Sequence, residues 1–161
     1  MRRATRLTAL ISAIALAGPA IPAGAQESAY PPISKREVVG GSVKVKVTGA
    51  FTIDEEIQLS KKGGGGDGEM TWLPYGESGA AEPNVLITFT DTKEVGIVVA
   101  RGKLTSTAGI TPGEKSLCTG KVEVTPKLIS GHYTCKGVSS YDPVTSSMGK
   151  VDIDVRFTAK S

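Results

Sequence analysis

Two stretches near the ends of the chain share one rhythm. Ser42 to Thr48 reads SVKVKVT, so Val43, Val45 and Val47 alternate with Lys44 and Lys46. Lys150 to Thr158 reads KVDIDVRFT, so Val151, Ile153 and Val155 alternate with Asp152 and Asp154. Successive side chains of a strand point to opposite faces, whereas apolar positions on a helix recur about every 3.6 residues. The pattern therefore specifies half-buried strands. The charges are opposite, which predicts that the two strands are neighbours, with aliphatics on the core face and lysines meeting aspartates outside. Each opposite-charge cross-strand pair contributes about 0.2–1 kcal/mol.

The rest of the chain is punctuated in the same way. Val85 to Thr90 (VLITFT) and Glu94 to Ala100 (EVGIVVA) are strong strands around a turn at Asp91-Thr92. Phe51 to Leu59 and Glu69 to Tyr75 are weaker candidates, and Lys103 to Ser106 is an edge segment. Loops are expected at Lys61 to Gly68 (KKGGGGDG), Glu77 to Asn84, Thr107 to Lys115 and Ser140 to Met148. No stretch beyond the N-terminal segment has helical period. The fold class that follows is all-β: a single β-sandwich or closed barrel of about seven or eight mostly antiparallel strands.

The two cysteines, Cys118 and Cys135, sharpen this. Ser116 to Thr125 reads as a strand, Pro126 to Ser130 as a turn, and Gly131 to Val138 as a return strand. Pairing Val124 with Ile129 sets Cys118 opposite Cys135, which predicts a hairpin disulfide. Closing a loop of this size stabilises by about 3 kcal/mol on the loop-entropy model. A disulfide also suits an exported protein.

Export is what the N-terminus predicts. Arg2, Arg3 and Arg6 precede an apolar run from Leu7 to Ala17, and Ala23-Gly24-Ala25 offers small residues for cleavage before Gln26. That order is the secretory pattern. The run is shorter than the roughly 20 apolar residues that span a bilayer. Arg2-Arg3 alone does not decide between general and twin-arginine export. The expected division is a signal peptide over 1–25, a tether over 26–41 containing Pro31-Pro32, and the β domain over 42–161. The expected location is extracellular, with cell-surface association open, and no membrane segment remains after cleavage.

The leader also governs the charge. The chain holds 19 Lys and Arg against 16 Asp and Glu. Removing the three leader arginines leaves 16 of each, a neutral domain. Such a domain lacks the basic footprint of a nucleic-acid binder.

Motifs for chemistry are sparse. Gly63, Gly65 and Gly68 match G-x-G-x-x-G in letters, but no helix is expected after them, as a dinucleotide site requires. His132 is the sole histidine, and nothing resembles a nucleophile elbow around any serine. One histidine and two bridged cysteines make no zinc site. Asp54, Glu55 and Glu56 read as a solvated acidic cluster near a turn. No catalytic residue, metal ligand or cofactor is therefore assigned. Trp72 and Tyr75 could form an aromatic platform for a sugar or a protein partner, with a core anchor as the alternative for Trp72. Together with Tyr141 and Asp142 they are the candidate binding surface.

The C-terminal third carries a family resemblance. Gly131-His132-Tyr133, Gly137-Val138, Tyr141-Asp142-Pro143 and the final alternating run Gly149 to Thr158 resemble the end of the mycobacterial and actinobacterial surface lipoprotein-antigen family, over about 30 residues. The resemblance implies a small β-rich cell-envelope protein without catalytic residues. This chain departs from it at Leu16-Ala17-Gly18, where Pro19 stands in place of the lipid-bearing cysteine. No thioether anchor forms there.

The expectation is a secreted, non-enzymatic, monomeric domain that binds a protein or envelope component through loops such as Ser140 to Met148 or Gly63 to Gly68. A secreted enzyme inhibitor contacting its target near the disulfide is the alternative. A small hydrolase using His132 is the third.

Overall fold

A computed structural model describes residues 36–59, 70–76, 83–92, 94–110 and 115–161. The expected signal peptide over 1–25, residues 26–35 of the expected tether and the expected loop at Lys61 to Gly68 lie outside them. The described residues contain nine strands: β1 Gly40–Gly49, β2 Ile53–Gln58, β3 Met70–Tyr75, β4 Pro83–Thr90, β5 Val95–Arg101, β6 Leu104–Ile110, β7 Cys118–Val124, β8 Leu128–Asp142 and β9 Ser147–Lys160.

All pairings are antiparallel, in the order β2-β1-β9-β8-β6-β5-β4-β3. The two ends of that order meet. Leu59 bridges to Tyr75, and the Gly76 amide donates to the Gln58 carbonyl at 3.3 Å. The sheet is thus a nearly closed, eight-stranded barrel, with β7 attached to β8 beside it. Closure removes most of the unpaired strand edge that an open sheet presents.

The first and last strands do pair. Val43 lies opposite Phe157, Val45 opposite Val155 and Val47 opposite Ile153, and all six side chains are buried. The outer face differs from the expectation in register. Lys46 faces Asp154, but Lys44 faces Arg156 and Asp152 faces Thr48. The ion pair of Lys46 runs the other way, to Asp54 on β2 at 3.7 Å.

Inward positions of every barrel strand fill the interior. Leu73, Ile87, Ile97, Val99 and Ile129 are fully buried, and the Phe89 and Phe157 rings stack with centroids 6.4 Å apart. Such a ring pair adds about 0.5–1.5 kcal/mol beyond its buried area. Tyr75 also points inward, and its hydroxyl donates to the Thr158 carbonyl at 3.0 Å. Part of the expected tether is packed as well, through Arg36 and Val38, while Val39 is exposed. Val38 is fully buried, the Arg36 guanidinium donates to the Thr125 carbonyl, and the Val39 amide donates to the Lys160 carbonyl.

Three segments extend further than expected. The edge segment at Lys103 continues as β6 to Ile110, through residues whose sequence predicts a loop from Thr107. The return strand begins at Leu128 and runs to Asp142. β9 begins at Ser147. The loop expected over Ser140 to Met148 thus shrinks to a tight turn over residues 143–146. The reason is a register shift between Cys135 and Val138. Before it, β8 lies between β9 and β7. After it, β8 lies between β9 and β6, with Ser106 opposite Ser140. The Ser106 hydroxyl donates to the Ser139 carbonyl at 2.8 Å and ties the new neighbour in place.

Candidate functional site

The exposed end of the β8–β9 hairpin is built by its own turn chemistry. Pro143 fixes its backbone at the start of the turn. The Asp142 carboxylate then accepts the Val144 amide at 2.8 Å and the Thr145 hydroxyl at 2.9 Å. Thr145 and Ser147 share a hydroxyl contact at 2.8 Å. Ser146 takes the left-handed conformation, at φ 52°. These bonds hold the Asp142 carboxyl below its usual range, the Val144 amide first, then Thr145, with a smaller effect from the Lys103 charge.

What the turn presents is apolar. Tyr141 and Met148 are directly opposite each other on the two strands. Tyr141 is 46% exposed, Met148 69% and Val144 61%. Two exposed apolar side chains thus flank the braced turn as a cross-strand pair, and a third, Val144, stands exposed within it.

The four candidate binding residues do not come together. Tyr141 and Asp142 are adjacent on this hairpin, where Asp142 acts as the turn's brace. Trp72 lies on β3, with β6, β5 and β4 between it and β8. It is exposed on the outer wall. Tyr75 is a correction: three positions along the strand from Trp72, it falls on the opposite face and is 1% exposed. Burial pushes its phenol well above the usual range. Trp72 and Tyr75 therefore form no common platform. The sequence reading missed Val144 and Met148, although a valine inside Asp-Pro-Val-Thr-Ser-Ser is an apolar residue in an otherwise polar turn.

The disulfide is formed. Cys118 lies opposite Cys135 with Val124 opposite Ile129, the expected register, and the sulfurs are bonded at 2.08 Å. Just before it, Leu117 is 61% exposed, and its carbonyl accepts the Lys136 amide at 2.9 Å.

His132 is half-exposed on the outer face of β8. Its Nε2 lies 3.2 Å from Asp154 Oδ2, and the Thr134 hydroxyl donates to the same oxygen at 3.1 Å. Partial burial raises the Asp154 pKa, but the bonds from His132 and Thr134 outweigh it and hold the carboxyl below its usual range. Among the described residues, no serine or threonine hydroxyl lies within hydrogen-bond distance of His132. The pair therefore lacks the hydroxyl of a nucleophilic triad. Among those residues, no three His, Cys, Asp or Glu side chains gather as metal ligands.

No family model matches the chain, and no curated protein or solved structure matches it.

Proposed function

We propose that this chain is an exported, non-enzymatic β-barrel that binds a protein or cell-envelope component through the tip of its β8–β9 hairpin. One observation carries the reading: Tyr141, Val144 and Met148 stand exposed on a turn braced by Asp142. Tyrosine and methionine are enriched at interfaces, and tyrosine is among the residue types that anchor them.

The test is a capture experiment from culture medium and from cell envelope, with the purified protein as bait. A Tyr141→Ser/Met148→Ser double variant is expected to keep its melting temperature. It is also expected to bind the captured partner at least about tenfold more weakly, as loss of an interface anchor does. Equal binding by both proteins rejects the tip as the contact.

A second reading, a secreted enzyme inhibitor, is favoured by Leu117, exposed beside the disulfide with its backbone fixed by Lys136. It predicts that a panel of secreted proteases contains one blocked at micromolar protein, and that Leu117→Gly relieves the block. Full activity across the panel rejects it.

A further inference from the structure

The outer wall of β2-β1-β9-β8-β7 carries a row of side chains at one level. Glu56 faces Lys44, Lys44 faces Arg156, Arg156 faces His132 and His132 faces Lys121. The next level holds Ser42, Thr158, Ser130 and Glu123 in the same cross-strand sequence. Strands lie about 4.8 Å apart, so the first row spans about 19 Å. Barrel walls are convex as a rule, yet Ser42, Ser130, His132 and Thr158 face outward and are half-buried. The wall is hollowed here, where the β7–β8 hairpin leaves the barrel, and the two rows line a groove of about 370 Å³. That volume lies within the range of small-ligand sites, about 300–1,000 Å³.

The charges in the groove are unevenly satisfied. Lys121 is paired with Glu123, and His132 is paired with Asp154. Among the described residues, Arg156 and Lys44 have no carboxylate within 4 Å, although Glu56 lies across from Lys44 and Asp154 is close enough to feel the Arg156 charge. The middle of the groove is therefore lined by two cationic residues that are cross-strand neighbours, Lys44 and Arg156, while Glu56 and Glu123 lie toward its two ends. An arginine fork matches a carboxylate or phosphate in two parallel hydrogen bonds. The terminal carboxylates repel any anion that extends along the row.

We infer that this groove binds a small hydroxylated molecule bearing one oxyanion, a carboxylate or a phosphate ester, with Arg156 as its anchor and Lys44 beside it. The Ser42 and Ser130 hydroxyls meet the polar body. The site shares strands β8 and β9 with the hairpin tip but lies toward their opposite end, about ten residues along each strand, and none of its residues belongs to the tip.

The experiment is a titration of the purified chain at low salt with glucuronate, glucose 6-phosphate and glucose, read by calorimetry and by amide chemical shifts. The expected result is millimolar or tighter binding of at least one anionic sugar (about −4 kcal/mol or better), with none for glucose. Shifts should centre on Ser130 to His132 and Arg156. Binding by only one anion supports the site and assigns its chemistry. Arg156→Gln should weaken binding at least tenfold and Arg156→Lys less. Tyr141→Ser, at the hairpin tip, should leave it unchanged. Should Arg156→Gln fail to fold, Lys44→Gln gives the same readout at severalfold loss. Absence of binding by both anions at about 10 mM, well above a millimolar Kd, overturns the inference. So does equal binding of glucose, a shift map centred elsewhere, or affinity indifferent to both folded variants.

Discussion

At the scale of single residues, the barrel interior contains a flaw and the outer wall a dependence on pH. Thr71 is fully buried opposite Phe89, and its hydroxyl has no hydrogen-bond partner among the described residues. A buried hydroxyl left unpaired costs about 1–3 kcal/mol. Thr71→Val replaces it with a methyl of similar size and is expected to stabilise the protein by about 1 kcal/mol in urea denaturation. No gain would mean that the hydroxyl is satisfied in solution. The pH dependence involves Asp152. Its carboxylate accepts the Lys136 ammonium at 2.8 Å and the Gly137 amide at 2.9 Å, and these bonds hold it below its ordinary 3.8. A carboxyl depressed by folding adds stability above its unfolded value, and that stability is lost as pH falls through the folded value. Asp152→Asn should therefore melt below the parent at pH 7, and the gap should narrow as pH falls below the ordinary 3.8 and through the lower folded value. A gap that does not change with pH would assign the effect to shape instead of charge.

At the scale of elements, the β7–β8 hairpin tests the loop-entropy account of its disulfide. Cys118 and Cys135 are 17 residues apart. Replacing both with Ala should cost about 3 kcal/mol. Because β7 lies off the barrel path, far-ultraviolet circular dichroism should keep its strand signal. Loss of the whole sheet would mean that the hairpin is needed for the barrel to form at all. This hairpin is readable from the sequence because the turn at Pro126 and two cysteines fix its register together. The β1–β9 pair is readable because clean alternation and opposite charge point to each other. The ends of β6 and β8 are not. Thr107 to Ile110 alternates only through the small residues Ala108 and Gly109 and runs into Pro112-Gly113, and the shift at Lys136 to Val138 changes which residues face inward, so Ser140 to Asp142 continues a strand whose pattern has been reset. The Tyr75 error is of another kind: β3 carries no shift, and parity alone puts Trp72 and Tyr75 on opposite faces. The groove is hidden for a stronger reason. Its rows join Lys44, Arg156, His132 and Lys121 from four strands, and only the registers of all four bring them to one level.

At the scale of the molecule, the barrel is closed unevenly. β1–β9 and β8–β9 are long ladders, whereas β2 meets β3 through one bridge and one further hydrogen bond among the described residues. Amide exchange should therefore be faster at this seam, at Gly76, whose amide bonds Gln58 across it, than in the middle of β9, at Ile153 and Val155. Uniform protection around the ring would show that the seam is sealed by residues beyond those described. The placement of β9 has a further consequence for how the chain reaches this state. β9 is made after every other strand, yet it sits between β1 and β8 as the keystone of the ring. During synthesis one edge of β1 has no strand to pair with until β2 to β8, and then β9, have followed it. Contacts between segments so far apart in the chain form slowly, because the loop between them must close first. A ring whose keystone is the latest of the described strands is therefore expected to lock in a late step of folding.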